Sequence, residues 1–319
     1  MKEKDGELKV ILFIVMLFIL TIPSISADFF PDFWNKITGQ ASSQSTNVSI
    51  TVAGASPATI PTVSAISATD PSELSSRDIT FYVTMSDTDG VNDLNDSSVN
   101  ASFSRVGETN RTNSSCVWVN DIDSTSANYS CIISMWYWDG NGDWNVTITG
   151  TDLGNLSLAT NTSTAFTYNL LKAMVISPNE LTWPSISPAA TNQTSNNDPS
   201  LINNTGNYDS TIQVTAINLL GQSDASKIIY AENFTTALTT GGVACSGTAC
   251  SECNATGTTT LVNATATTIT SSNANRGNIS AGSGAGQEQF YYCIPNVPST
   301  LSSQTYSTLT AGSWTIVFP

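Results

Sequence analysis

The sequence contains no histidine and has little positive charge of any kind. Without histidine, Ser-His-Asp and Cys-His catalysis and all imidazole-ligated metal sites are excluded. Beyond residue 26 the only lysines are Lys36, Lys172 and Lys227, so a Ser-Lys dyad has few candidates. The six glutamates in the same part of the chain fall in no catalytic motif, although paired carboxylates suffice for a glycosidase. We therefore expect no enzymatic activity and rank a secreted carboxylate enzyme last among the functions considered.

The net charge of −15 argues against nucleic acid as a partner, because nucleic-acid binding needs a basic surface. Most of this charge lies in residues 70–152, which hold thirteen acidic residues and three arginines. An acidic, lysine-poor surface stays soluble and attracts divalent cations or basic partners.

Long apolar runs are also scarce, and the only one is residues 10–22. This run follows a weakly basic start and precedes Pro23 and the small residues Ser24, Ser26 and Ala27. The arrangement predicts a signal peptide over residues 1–26, with cleavage near Ser26 or Ala27. At thirteen residues the run is shorter than the ~20 that span a bilayer. The alternative is an uncleaved anchor, extended at the interface by the aromatic residues of the segment 29–34, and this is the only membrane attachment we expect.

Asn-x-Ser/Thr sequons are abundant. The chain has 29 Asn and 88 Ser or Thr, which gives roughly eight sequons by chance. Fifteen are present, and they favour a heavily N-glycosylated exported surface over accidental matches in a Thr-rich sequence. They begin at Asn47, Asn95, Asn100, Asn110, Asn113, Asn128, Asn145, Asn155, Asn161, Asn192, Asn203, Asn233, Asn254, Asn263 and Asn278.

Six cysteines in an exported chain predict disulfides. Cys116 and Cys131 are expected to pair with each other. The other four are Cys245, Cys250, Cys253 and Cys293, and they allow three connectivities. A four-cysteine zinc site has imperfect spacing here, and a redox Cys-x-x-Cys at 250–253 lacks the βαβ context it needs.

Residues 128–152 show the clearest secondary-structure pattern in the chain. One arm alternates Tyr129, Cys131, Ile133 and Met135, and the other alternates Trp144, Val146 and Ile148, on either side of a Gly-rich turn. This pattern predicts a β-hairpin with one buried face.

The whole chain is predicted to be all-β, with two Ig-like β-sandwich domains after the N-terminal segment. Seven short strands are expected in residues 59–171, the first of them over residues 63–68. Residues 172–319 are expected to form a second β-sandwich that contains the cysteine cluster. Residues 27–58 are expected to form a tether in which NVSITV (47–52) is a strand, paired either within its own domain or with a neighbouring subunit.

Part of the second arm and its turn resembles a known family. Gly142, Trp144, Val146, Ile148, Asp152, Gly154 and Asn155 resemble the G-x-[YW]-x-V-x-V…D-x-x-G-N stretch of prokaryotic Ig-like surface domains, with Asp152 one residue closer to its glycine. The NNTGN sequence (203–207), followed by a strand, resembles the second sandwich of secreted archaeal surface proteins. In composition the chain resembles archaeal S-layer or pilus-like subunits. The resemblance implies fold and says little about function.

Two acidic turns suit a hard cation such as Ca²⁺. The first holds Asp87, Asp89, Asp93 and Asp96. The second holds Asp139, Asn141 and Asp143, which match positions 1, 3 and 5 of an EF-hand loop but lack its Gly and its final Glu. If every strand reverses direction, the two turns lie at opposite ends of the sandwich and do not share an ion. The alternative is that Asp, Asn and Gly only form turns.

The aromatic run 136–138 contains a candidate carbohydrate-stacking pair, Trp136 and Trp138, whose alternative use is core or inter-domain packing. The sequence as a whole predicts an exported, glycosylated, non-catalytic structural subunit of the cell surface that self-associates into a lattice or filament. An adhesin that binds a glycan or another partner is the second hypothesis.

Overall fold

The computed structural model describes residues 55–154, 156, 158–238, 245–246, 249–250, 253, 256–281 and 286–319. The predicted signal peptide, most of the tether with its NVSITV strand, and the sequon residues Asn47, Asn155 and Asn254 lie outside the described residues. Residues 55–319 form one compact unit. None of the described residues belongs to a helix long and apolar enough to cross a bilayer.

The fold is all-β, as predicted, and its only described helical segments are single 3-10 turns. These turns are Val91–Asp93, Asp96–Ser98, Ala231–Asn233 and Ile279–Ala281.

The first half of the compact unit is a sandwich of two four-stranded antiparallel sheets. One sheet has the order β1-β2-β6-β5 and the other β4-β3-β7-β8. Labelled A to G with one extra strand C′, these orders become A-B-E-D and C′-C-F-G, which is the immunoglobulin arrangement. The strands are β1 (Thr59–Val63), β2 (Ser76–Ser86), β3 (Asn100–Ser104), β4 (Arg111–Asn113), β5 (Val117–Asp121), β6 (Ser126–Trp136), β7 (Gly142–Gly150) and β8 (Ala159–Tyr168).

Alternation along these strands builds the core. Every second residue of β6 from Ala127 to Met135 is buried, and Trp144, Val146 and Ile148 of β7 are buried in the facing sheet. Apart from Ala127, these are the residues that the sequence pattern placed inside, because successive strand residues point to opposite faces. Fully burying each large apolar side chain contributes about 1.5–3 kcal/mol.

The predicted hairpin within residues 128–152 is wrong. Strand β6 pairs with β2 and β5, whereas β7 pairs with β3 and β8 in the opposite sheet. The chain therefore crosses from one layer to the other between Trp136 and Gly142. Period-two alternation identifies a buried face, and two such faces meet equally well across a core as within one sheet.

Two further strand predictions differ from the structure. The first strand lies at Thr59–Val63 rather than at 63–68, and the short strand β4 (Arg111–Asn113) was not predicted. Neither strand has a strong alternating pattern of large apolar residues, so the sequence gives a weak signal for both.

The second half is built on the long strand β20. A six-stranded sheet has the order β18-β15-β20-β11-β9, with β10 also paired to β20, and two three-stranded sheets have the orders β19-β12-β22 and β14-β13-β21. The strands are β9 (Met174–Ser177), β10 (Thr191–Thr194), β11 (Ser200–Asn204), β12 (Gln213–Thr215), β13 (Leu219–Gly221), β14 (Ile228–Ile229), β15 (Thr235–Leu238), β16 (Cys245–Ser246), β17 (Ala249–Cys250), β18 (Thr259–Thr260), β19 (Thr267–Thr268), β20 (Gln287–Asn296), β21 (Tyr306–Ser307) and β22 (Thr315–Val317).

This half has its own hydrophobic core, separate from that of the first sandwich. Strand β20 contributes Phe290, Tyr292 and Ile294 to this core. They pack with Val214 of β12 and with Phe234, and this packing joins the six-stranded sheet to the β19-β12-β22 sheet. All five side chains are buried. The two cores lie on either side of residue 171 in the sequence.

Two disulfides are described. Cys116 pairs with Cys131, as predicted, and joins the segment before β5 to the middle of β6. Cys253 pairs with Cys293, which fixes a segment 40 residues earlier to β20. The backbones of Cys245 and Cys250 face each other in the β16–β17 pair, and their side chains lie outside the described atoms.

The two sandwiches meet at a polar joint around the NNTGN turn. The side chain of Asn207 accepts a hydrogen bond from Leu171 N (2.7 Å) and donates one to Asn169 O (2.8 Å). Gly206 packs so closely that a Cβ there would lie 2.1 Å from Leu171 O. Only glycine fits such an approach without backbone movement, which gives this part of the turn a structural role.

Candidate metal centre and exposed surfaces

The first acidic turn gathers three carboxylates. Asp87 directly follows β2, Gly90 reverses the chain at φ +121°, and Asp93 ends the 3-10 turn Val91–Asp93. One carboxylate oxygen from each of Asp87, Asp89 and Asp93 lies within 4.8 Å of the other two. Three oxygen ligands on one irregular turn match the ligand type that Ca²⁺ prefers.

A fourth carboxylate, that of Asp152, belongs to the β7–β8 loop and lies outside this 4.8 Å group, although its charge acts on Asp93. Asp152 follows β7, is fully buried, and forms an isolated bridge with Leu94. Its neighbour Leu153 donates a backbone hydrogen bond to Asp93 O (2.7 Å), so the β7–β8 loop and the acidic turn are packed together.

Two buried carboxylate oxygens at this end of the sandwich lack a hydrogen-bond partner among the residues that the structure describes. Asp87 is 2% exposed, its Oδ1 accepts a bond from Asp89 N (2.8 Å), and its Oδ2 has no partner. Asp152 accepts a bond from Leu156 N at Oδ1 (3.2 Å), while its Oδ2 is buried without one. Buried polar atoms are nearly always paired, so each exception needs a physical explanation.

The cluster concentrates negative charge. Desolvation, followed by the neighbouring charges of Asp87, Asp152 and Asp89, raises the pKa of Asp93 above its ordinary value. No ion pair within the described part of the chain includes any of these four aspartates. Asp96 lies outside the group, because its carboxylate accepts a hydrogen bond from the Tyr129 hydroxyl (2.7 Å).

The second acidic turn is organised differently. Both oxygens of Asp139 accept hydrogen bonds from Arg111 Nε (3.0 Å each), and Oδ2 also accepts one from Trp136 N (2.7 Å). Asp143 accepts a bond from the Thr167 hydroxyl (2.6 Å), and Asn141 is half-buried. Because Arg111 neutralises Asp139, the geometry does not favour a cation here.

The two turns lie at opposite ends of the first sandwich, as predicted. Strands β2 and β6 are antiparallel, with Ser86 opposite Ser126 at one end and Ser76 opposite Trp136 at the other. The first turn follows Ser86, and the second follows Trp136. They therefore cannot contribute to one site.

The Trp136–Trp138 pair forms a stacked aromatic surface. The ring centroids are 4.8 Å apart with an interplanar angle of 16°, and Trp136 is 37% exposed. Trp136 also forms one wall of a cleft of about 530 Å³. The rest of the cleft is mostly polar and is formed by Asn110, Arg111, Thr112, Asn113, Ser114, Ile132 and Ser134.

Strand β5 is exposed on both faces. It lies at the edge of its sheet, and all five of its residues are exposed. The exposed fractions are 67% for Val117, 46% for Trp118 and 42% for Val119, and Ile122 just beyond the strand is 54% exposed. Apolar side chains on a free strand edge are unusual, because such edges pair readily with other chains.

The sequon asparagines differ in how the fold uses them. Asn110, Asn145, Asn192 and Asn263 are exposed. In contrast, the side-chain Nδ2 of Asn113 donates to Ile132 O (2.9 Å) and that of Asn161 donates to Ile60 O (2.9 Å). Asn100 is similar, with Nδ2 bonded to Ser98 O (3.0 Å). The remaining described sequon residues are half-buried, namely Asn95, Asn128, Asn203, Asn233 and Asn278.

Sequence reasoning did not include Asp152 in the candidate cation site, nor did it pair Arg111 with Asp139. An acidic residue two positions after a buried strand was the available signal for Asp152. Arg111 and Asp139 are 28 residues apart and come from different loops, and no local pattern joins them.

Comparison with protein-family models and with curated proteins gives no match. Arguments about function therefore depend on the geometry of this chain alone.

Proposed function

We propose that this protein is an exported, glycosylated structural component of the cell surface that associates with other copies of itself and has no catalytic role. The observation that carries the proposal is the exposed edge strand β5, with Val117, Trp118 and Val119 at the surface. The resemblance of the composition to archaeal S-layer and pilus-like subunits is consistent with such a role.

Strand β5 has the properties of an assembly edge. Its partner β6 satisfies one side of its backbone, and no other strand among the described residues pairs with the second side, so that side is open to a strand from another molecule. The apolar surface continues across the outer face of the sheet. Ser130 of β6 is paired with Val117 of β5 on one side and with Tyr82 of β2 on the other. Exposed apolar surface of this kind marks interaction sites in folded proteins.

The chemistry of the chain supports an extracellular setting. The two described disulfides form and persist in oxidising compartments, which include the cell exterior. The predicted signal peptide and the exposed sequon asparagines support export and glycosylation.

Self-association is tested with the purified full-length chain by sedimentation velocity over a range of protein and salt concentrations, followed by electron cryo-tomography of the native surface. We expect concentration-dependent assembly, strengthened by salt, because screening reduces repulsion between copies with a net charge of −15.

The contribution of β5 is tested by substitution. Val119→Lys places a charge on the edge and should reduce assembly, while Val106→Lys, at a 99% exposed valine away from the edge, should not. A wild-type chain that remains monomeric at all concentrations would contradict the proposal.

Glycan binding is a second candidate function, favoured by the stacked Trp136–Trp138 pair beside a polar cleft. Sugars bind where an aromatic platform meets a few polar side chains. Trp136→Ala should abolish retention on a glycan array and leave assembly unchanged, whereas Trp118→Ala should do the reverse. Loss of both activities in both variants would argue against two separate surfaces.

A further inference from the structure

We propose that the first sandwich binds one hard divalent cation, Ca²⁺ by its ligand chemistry, through Asp87, Asp89, Asp93 and the buried Asp152. This inference is independent of self-association, because the site lies within a single chain.

Three nearby carboxylates do not by themselves make a site, since exposed acidic groups are common without an ion. The additional observation is that Asp87 and Asp152 are buried at 2% and 0% exposure, and each has an Oδ2 atom that no described residue contacts by a hydrogen bond. A buried, unpaired carboxylate is costly, and buried charges are normally paired or bound to a metal. A water molecule satisfies the lone pairs of such an oxygen but not its charge.

The location of the four carboxylates explains what a cation would do. Asp87, Asp89 and Asp93 lie on the loop that leads from β2 in one sheet to β3 in the other, and Asp152 lies in the loop between β7 and β8 of the second sheet. The Leu153 N to Asp93 O hydrogen bond holds the two loops in contact. A cation bound by all four would fasten the crossover from β2 to β3 onto the β7–β8 loop at this end of the sandwich.

The same site adjoins the start of the described chain. Ser56 N donates a hydrogen bond to Asp89 Oδ2 (2.5 Å). A cation that fixes Asp89 would therefore also order the start of the described chain.

Ca²⁺ fits this ligand set better than Mg²⁺. Ca²⁺ accepts six to eight oxygens in irregular arrangements, whereas Mg²⁺ demands near-ideal octahedral geometry. Four carboxylates on two irregular loops provide the flexible, oxygen-only surroundings that Ca²⁺ tolerates.

The test is isothermal titration of the full-length chain, freed of metal with EDTA, with Ca²⁺ and separately with Mg²⁺, together with thermal unfolding. We expect one Ca²⁺ per chain at this site, and at about 100 times Kd a rise in Tm of roughly 5–10 °C. Identical titrations and melting curves in EDTA, Ca²⁺ and Mg²⁺ would overturn the proposal.

Two variants separate ligand loss from misfolding. Asp87→Asn and Asp152→Asn should each abolish the Ca²⁺-dependent rise in Tm. In EDTA both should melt at or above the wild-type temperature, because each removes an unpaired buried charge. The matched control is Asp143→Asn in the second acidic turn, which should retain the full response to Ca²⁺. A wild-type Ca²⁺ response in Asp152→Asn would contradict the assignment of Asp152 as a ligand and so overturn the four-carboxylate site.

Discussion

Arg276 Nη2 lies 2.5 Å from Glu108 Oε1, and this ion pair joins the two sandwiches. Glu108 also accepts a hydrogen bond from Arg105 of its own sandwich, and Arg276 also contacts Asp209 of its own. Beside this network, the Tyr137 hydroxyl donates to Gly277 O (3.2 Å) and accepts a bond from Ile279 N (3.3 Å). The joint is therefore a set of specific polar contacts.

Removing Arg276 should weaken the joint. Arg276→Ala deletes the charged contact across it and should cost about 1–2 kcal/mol of unfolding free energy, since the pair is largely shielded from solvent. Guanidinium unfolding measures the loss, and small-angle scattering should show a wider range of inter-domain distances. Arg105→Ala removes a contact to the same carboxylate within one sandwich and should leave the scattering unchanged. Equal scattering from all three proteins would contradict the role of this pair.

Gly206→Ala should disrupt the same joint by crowding. The added methyl group would lie 2.1 Å from Leu171 O and 3.0 Å from Ala173 N, both backbone atoms, so the turn must move. We expect a loss of about 3 kcal/mol, at the upper end of overpacking costs. Gly107→Ala is the comparison, because there a methyl group meets no atom of the described residues within 4 Å and only the positive φ of +82° is unfavourable, at about 1 kcal/mol. Similar melting temperatures for the two variants would show that crowding at Gly206 is relieved.

Asp198 should make the second sandwich sensitive to pH. Burial raises the pKa of this carboxyl from 3.8 to about 6, although Tyr292 N and the Thr194 hydroxyl donate hydrogen bonds to it. The folded state thus binds the proton more tightly than the unfolded state, so this contribution to stability is complete below pH 4 and is lost as the pH rises through 6. Asp198→Asn should therefore gain stability relative to wild type between pH 4 and 7, on the order of 1–3 kcal/mol. Thermal melts across this range measure the difference, and a difference that does not change with pH would contradict the prediction.

The two described disulfides should stabilise the chain unequally. In the chain-entropy model, closing the 15-residue separation of Cys116–Cys131 contributes about 3 kcal/mol, and the 40-residue separation of Cys253–Cys293 about 4 kcal/mol. Paired Cys→Ala variants measure each contribution by denaturant unfolding. A larger loss from the Cys116/Cys131 variant would reverse the predicted order.

Glycan occupancy should follow the use that the fold makes of each asparagine amide. The side-chain Nδ2 groups of Asn113 and Asn161 donate hydrogen bonds to backbone carbonyl oxygens. A glycan attached to that nitrogen would break the hydrogen bond, so we expect low glycan occupancy at both sites. Asn145 and Asn263 are exposed and should be occupied. Glycopeptide mass spectrometry of the native protein reads all four sites, and full occupancy of Asn113 and Asn161 would show that glycans are added before these bonds form.

The sequence predicted burial better than it predicted pairing. Alternation identified Tyr129, Cys131 and Trp144 as interior residues, because side-chain direction is a local property of a strand. It placed β6 and β7 in one hairpin, although they lie in opposite sheets, because strand partners depend on contacts between distant residues. Asp139 shows the same limit at the candidate site, since its role depends on Arg111, which comes from another loop.

The direction of the chain through the first sandwich has a mechanical consequence. Ser56 lies at the end of the sandwich that carries Asp87 and Asp152. Strand β8 leaves the sandwich at the opposite end, at Tyr168, which forms a parallel bridge with Thr69. Tension applied between these points pulls the start of β1 and the end of β8 in opposite directions along their length. The backbone hydrogen bonds of β1 and β8 are then loaded together in shear instead of opening one after another. A module connected in this way resists extension, and a cation that clamps its loaded end would raise that resistance further.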